Sequence, residues 1–122
     1  MSVIEEVVSS GTSTSAVDPR TVGDFLAPER EYLTKVAGAI DEVVCRTERH
    51  EHGVTYSVLL RLAPEVPYDD QPECSSYEIW QRFVRFGSTD AAHHRLRVAA
   101  QDQEAIGAYA WRAMDVAQRG DL

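Results

Sequence analysis

Four histidines are the side chains of this chain most suited to binding a transition metal. His50 and His52 flank a single residue, so they would share a face if that segment were a strand. His93 and His94 are adjacent. A structural zinc site needs three or four nitrogen or sulfur ligands in a tetrahedral array. The chain has neither paired CxxC motifs nor an HExxH motif, so we expect no metal centre, and a small enzyme or metal-binding protein that uses these histidines is only an alternative.

The cysteines and acidic residues also point to no cofactor. Cys45 lies next to an expected core position, which predicts a buried and unreactive thiol. Asp69, Asp70 and Glu73 offer oxygen ligands for magnesium or calcium, but they lack the aspartate spacing and central glycine of a calcium loop. No GxxxxGK, GxGxxG or GxSxG motif occurs, so we expect no catalytic residue and favour a non-enzymatic protein.

Arginines form a local basic patch on an acidic chain. The net charge is −8, yet the window from Ile79 to Val98 holds four arginines against one acid, Asp90, and therefore carries +3. The four are Arg82, Arg85, Arg95 and Arg97. Such a patch predicts salt-sensitive contact with nucleic acid as a second functional hypothesis. The arginines could equally pair with acids on neighbouring elements, since exposed ion pairs need no function.

The N-terminal segment combines a short apolar patch with a polar tether. The patch consists of Val3, Ile4, Val7 and Val8, and the tether is the run SSGTSTSA. This composition predicts a flexible arm and linker over residues 1–20. The patch could add as a strand to a partner or to the protein's own sheet edge, or remain a frayed terminus. Together with the four arginines, these apolar residues are the expected partner-binding residues.

Three helices are expected. Apolar residues recur at helical spacing from about Pro28 to Ile40. A capping box at Ser75–Glu78 predicts a second helix that continues through Phe86. Asp102 is the expected cap of a third, from Gln103 to about Gln118.

A hairpin and one further strand complete the expected elements. Residues Val54 to Leu62 alternate between apolar and polar with a period of two, and Val43 to Arg49 is their expected antiparallel partner. Residues 88–100 are ambiguous. The alternation from Arg95 to Ala100 predicts a third strand, whereas the alanines there favour a helix that begins at Asp90.

These elements predict an α+β protein with one domain over residues 21–122. A β-hairpin and a third short strand would pack against about three helices, with the flexible arm in front. No run of about 18 apolar residues is present, and the acidic start is unlike a signal peptide, so we expect a cytoplasmic protein without membrane contact. Our leading hypothesis is a protein–protein interaction or assembly subunit, such as a phage virion component. It would bind another protein or a second copy through the arm and an exposed sheet edge or helix face.

Overall fold

An antiparallel sheet and a long helix make up the part of the chain that the structure, a computed structural model, describes: residues 2–13, 40–62 and 76–118. The elements are β1 (Ser2–Val7), β2 (Ile40–Arg49), β3 (Gly53–Leu62), β4 (Ser76–Arg85) and α1 (Asp90–Gln118). The sheet order is β1-β2-β3-β4 and each neighbouring pair is antiparallel. β1 and β4 are therefore the two edge strands.

The core lies between α1 and one face of the sheet, which we call the helix-side face. Alternation along β2 and β3 places Val43, Val58 and Leu60 on this face, where they are almost completely buried, while Val44 is buried on the other face of the sheet. The helix contributes Ile106 and Met114 to the same cluster. The other side of the sheet, the opposite face, carries the intervening residues. This arrangement confirms the predicted hairpin, whose strands begin slightly earlier than expected.

One helix extends over the region where a strand and a separate helix were predicted. Thr89 caps it, because its hydroxyl oxygen accepts a hydrogen bond from the Ala92 N–H at 3.1 Å. A stripe of buried residues then follows helical spacing: Ala92, Ala99, Gln103, Ile106, Ala110 and Met114. Ala105 and Ala108 widen this stripe. The expected strand from Arg95 to Ala100 is wrong, and the alternative of a helix from Asp90 is confirmed. The expected helix start at Asp102 is also wrong, since this residue lies mid-helix.

The predicted helix from Ser75 to Phe86 is wrong, because this segment forms β4. Val58 pairs with Trp80 and Leu59 pairs with Glu78, so Ile79 is an extra residue in the ladder. This bulge shifts the alternation by one position. The shift gives the segment a helix-like apolar spacing, although its aromatic and β-branched residues favour a strand.

The predicted architecture of three strands packed against about three helices is therefore wrong. The described ranges contain a four-stranded antiparallel sheet and one helix. The expected helix from Pro28 lies outside these ranges, except for Ile40, which is the first residue of β2. In the described parts of the chain, no helix is both long enough and apolar enough to cross a membrane.

Candidate interaction site at the sheet edges

β1 places the predicted apolar patch at the edge of the protein's own sheet. It pairs with β2 in a register that runs from Ser2 opposite Arg49 to Val7 opposite Val44. All six residues of β1 are exposed. The exposed fractions are 47% for Val3, 58% for Ile4 and 56% for Val7. Val8 differs, because it follows the strand and packs partly buried against the core.

The outer side of β1 presents backbone hydrogen-bonding groups. The Val8 N–H donates to the Val43 carbonyl at 2.8 Å, so this position faces β2. Because the direction alternates along an antiparallel strand, the backbone groups of Val3, Glu5 and Val7 point away from β2. An edge of this kind can accept a further strand.

Among the residues that the structure describes, few side-chain contacts hold β1 in place. Glu5 forms an ion pair with Arg61, which also donates to Glu42 at 2.8 Å. The hydrogen bond with Glu42 and the nearby Glu5 raise the pKa of Arg61 above its ordinary value. Beyond the strand, Arg112 donates to the Gly11 carbonyl at 2.7 Å. Exposed pairs of this type stabilise a fold only slightly, so the backbone ladder with β2 is the main attachment of β1.

β4 forms the other edge, with a different surface. The Phe86 N–H donates to the His52 carbonyl at 2.9 Å. By the same alternation, the backbone groups of Gln81, Phe83 and Arg85 point outward. Phe83 is 51% exposed, although the sequence placed it on a buried helix face. The signal that would have identified this edge is the strand propensity of the segment.

A basic groove lies between β4 and the first turns of α1, with a volume of about 490 Å³. We call it the arginine groove. Its basic lining is Arg82, Arg85, His94 and Arg95, and its apolar lining is Phe83, Val84 and Val98. The structure thus brings together three of the four predicted arginines. Arg97 is exposed on α1 and does not line the groove.

The arginines in this groove differ in their partners. Arg82 donates to the Asp102 carboxylate at 2.6 Å, and its guanidinium lies 5.1 Å from the Trp80 ring centre. Within the described ranges, Arg85 and Arg95 form no ion pair. The predicted pairing with neighbouring acids therefore holds for Arg82. The guanidinium groups of Arg85 and Arg95 are left to bind an anionic group.

The four histidines do not gather at one place. The ring of His50 is hydrogen-bonded to the Thr55 hydroxyl at 2.9 Å, and His52 lies at the exposed hairpin tip, 3.9 Å from the Glu51 carboxylate. His93 is exposed, whereas His94 lines the arginine groove. Among the residues with described positions, no three metal-ligating side chains lie close enough to hold an ion. The acidic residues Asp69, Asp70 and Glu73 lie outside the described ranges.

A second cavity of about 360 Å³ lies beside β1 and contains Cys45. Burial, followed by the negative charges of Glu6 and Glu104, raises the pKa of Cys45 to about 11. The thiol is therefore protonated near neutral pH and is a poor nucleophile or metal ligand. The cavity is thus acidic, in contrast to the arginine groove on the other side of the helix.

Gln103 is a structural residue that the sequence did not reveal. Its buried side-chain amide donates to the backbone carbonyls of Arg46 at 2.9 Å and Ser57 at 3.0 Å. These two bonds connect α1 to β2 and β3 and satisfy the amide donors. The position of Gln103, a polar residue on the buried stripe of a helix, was the signal in the sequence that could have identified this role.

Comparison with known proteins gives no relative. No family model matches the chain, and no curated protein or solved structure matches it. The candidate site therefore depends on its own geometry: two open edges with opposite charge, each carrying exposed apolar side chains. Such edges are suited to strand addition, in which backbone hydrogen bonds give affinity and side chains give specificity.

Proposed function

We propose that this protein is a non-enzymatic assembly subunit that self-associates by strand addition at β1. The observation that carries the proposal is the exposure of three large apolar side chains, Val3, Ile4 and Val7, on a strand whose outer backbone groups are open. Natural proteins usually blunt such an edge, because it recruits other strands. A partner strand would cover both the apolar side chains and the backbone groups.

The distribution of exposed apolar residues supports this function. In the described ranges, the exposed large hydrophobic residues are the three of β1 together with Phe83 and Phe86. All five therefore lie on an edge strand or directly after one. Single exposed apolar residues are common on protein surfaces, but their restriction to the two sheet edges favours edge-to-edge assembly.

The test is sedimentation velocity over a range of protein concentrations. Val3→Pro removes an N–H that points away from β2, so it blocks strand addition and spares the β1–β2 ladder. We expect the wild type to form larger species as its concentration rises. Val3→Pro should raise the concentration needed by about tenfold, the effect of losing a backbone hydrogen bond and distorting the edge.

Val3→Ala is the matched control, because it keeps the N–H and loses only the branched side chain. It should weaken association less than Val3→Pro does. A wild type that stays monomeric at all concentrations, or a Val3→Pro variant that associates as the wild type does, would contradict the proposal.

A second candidate is association with single-stranded nucleic acid through the arginine groove. The supporting observation is that Arg85 and Arg95 lie beside the exposed Phe83, because arginine and aromatic side chains together grip single strands. Filter binding of an oligonucleotide should weaken steeply with salt and be lost in the Arg85→Ala/Arg95→Ala variant. Arg97→Ala, outside the groove, is the matched control. Absent or salt-independent binding would remove this candidate.

A further inference from the structure

We propose that β1 of one copy docks on the β4 edge of a second copy, with its helix-side side chains at the arginine groove. This inference rests on the proposed function and identifies the acceptor surface. The contact is heterologous, since each copy uses one edge as donor and the other as acceptor. Repetition of such a contact gives an open filament, or a ring if the rotation closes.

The backbone geometry of the two edges is compatible. Successive strands of the sheet alternate in direction, so β1 and β4 of one copy run antiparallel to each other. A second copy translated along the sheet would place its β1 antiparallel to β4 of the first. The outward backbone groups belong to Val3, Glu5 and Val7 on the donor, and to alternate residues of β4 on the acceptor. These positions lie on the opposite face in both strands, so the joined sheet keeps both helices on one side.

One register also matches the side chains. It places Glu5 of the donor opposite Arg85 of the acceptor and Val7 opposite Phe83. Arg85 has no ion-pair partner among the described residues, and Phe83 and Val7 are each more than half exposed. Directly opposed residues of opposite charge, and aromatic residues opposite β-branched ones, stabilise antiparallel pairs.

The helix-side face of the same register brings a carboxylate to the arginine groove. Glu6 of the donor lies opposite Val84, which lines the groove together with Arg95 and His94. The acidic strand would therefore supply the anionic group that Arg95 lacks among the residues with described positions. Glu5 already contacts Arg61, but this arginine is shared with Glu42, so the pair of carboxylates retains a negative charge for Arg85.

Homotypic pairing of either edge is less favourable. Two β1 strands would bring four carboxylates, Glu5 and Glu6 from each copy, to one interface. Two β4 strands paired about Phe83 would place Arg85 of each copy opposite Gln81, so this arginine would gain no carboxylate. Like charges close together across a strand pair are destabilising, so the carboxylates of β1 oppose its self-pairing, and only the unlike edges give Arg85 an acidic partner.

The experiment uses two variants with different blocked edges, studied by sedimentation velocity. Val7→Pro blocks the donor edge, because its outward N–H lies opposite Phe83 in this register, and Arg85→Glu/Arg95→Glu blocks the acceptor edge. We expect the wild type to form an open series of oligomers and each variant alone to need about tenfold more protein for association. A 1:1 mixture of the variants should form a heterodimer and stop there, because it contains one intact donor and one intact acceptor.

Arg97→Glu is the control for charge reversal, since it reverses one arginine of α1 outside the groove and should associate as the wild type does. A circular dichroism melt identifies any variant that fails to fold. For that case, Arg85→Gln/Arg95→Gln replaces the acceptor-blocked variant.

The outcomes separate this inference from the proposed function. If the acceptor-blocked variant associates as the wild type does while Val7→Pro does not, pairing is homotypic and only the inference is overturned. If the wild type is monomeric, both are overturned. If the mixture of variants stays monomeric although the wild type associates, the head-to-tail contact is wrong. If the arginine groove binds an oligonucleotide and the protein does not self-associate, the groove is a nucleic-acid site and the inference is overturned.

Discussion

The two edge strands differ in what holds them to the protein. β4 contributes Ile79, Trp80 and Val84 to the buried core, whereas every residue of β1 is exposed. β1 depends on its backbone ladder with β2 and on exposed polar contacts such as Glu5–Arg61. The comparison shows that an edge strand can belong fully to a sheet by hydrogen bonding while contributing almost nothing to the core.

The edges also differ in charge. β1 carries Glu5 and Glu6 without a basic residue, and β4 presents Arg85 with Phe83 beside the arginine groove. Charged residues on an edge oppose pairing with an identical edge. Because the two edges carry charges of opposite sign, these charges do not oppose pairing between β1 of one copy and β4 of another.

The largest difference between the edges should appear when each loses its largest apolar side chain. Trp80→Ala removes a buried ring from β4, which should lower the free energy of unfolding by about 3–5 kcal/mol. Ile4→Ala on β1 should change it by less than about 0.5 kcal/mol, because this side chain is exposed. Urea unfolding of the dilute monomer, followed by circular dichroism, measures both.

Trp80→Phe is the control for ring volume and should cost less than Trp80→Ala. Equal losses for Trp80→Ala and Ile4→Ala would show that β1 is anchored by side chains after all, and the contrast between the edges would fail.

A second prediction concerns the close approach of α1 to the β1 side of the sheet. A Cβ atom at Gly107 would lie 2.8 Å from the Cys45 Sγ and 3.2 Å from a Val8 methyl carbon. Gly107→Val should therefore cost about 1–3 kcal/mol through overpacking. Cys45→Ala should recover part of this loss in the double variant, because it removes the sulfur atom from the clash. Additive losses in a double-mutant cycle would contradict this contact.

The sequence predicted the β2–β3 hairpin because its alternation is regular from Val54 onward. It failed for β4 because the bulge at Ile79 breaks the period, and for α1 because Asp102, which forms an ion pair with Arg82, resembles a cap. These errors are local effects of tertiary structure: a bulge is defined by its partner strand, and an ion pair by another element.

The candidate site was predictable in the same uneven way. The apolar patch at Val3, Ile4 and Val7 is visible in the sequence, and the structure places it on an edge strand. The gathering of Arg85 and Arg95 around one groove depends on α1 packing beside β4. No local pattern encodes that distance, since nine residues of chain and a change of secondary structure separate the two.

A smaller effect is expected at the ion pair that links β1 to β3. Glu5→Gln removes the charge opposite Arg61 and should lower the free energy of unfolding of the monomer by about 0.2–1 kcal/mol, the usual range for an exposed pair. Its effect on association should be larger than its effect on stability, because the inferred register places this carboxylate opposite Arg85. Glu78→Gln, an exposed acid of β4, is the matched control. A variant that unfolds and associates as the wild type does would exclude Glu5 from both roles.

A last effect, confined to alkaline pH, is the pH dependence that Cys45 gives to stability. Burial raises the folded-state pKa of Cys45 to about 11, above the value of 9.0 for an exposed cysteine. As the pH rises, the unfolded chain therefore loses the thiol proton before the native protein does. The contribution of Cys45 to the free energy of unfolding is therefore fully present below pH 9 and is lost as the pH rises towards 11. Cys45→Ala should reduce the pH dependence of the unfolding free energy over that interval.

Because Glu6 of β1 contributes to the raised pKa of Cys45, Glu6→Gln should speed alkylation of the native thiol, whereas Glu78→Gln on β4 should leave the rate unchanged. Equal alkylation rates in both variants would show that the carboxylates of β1 do not affect the thiol in this cavity. The difference in charge between the two edges would then have no effect on buried groups.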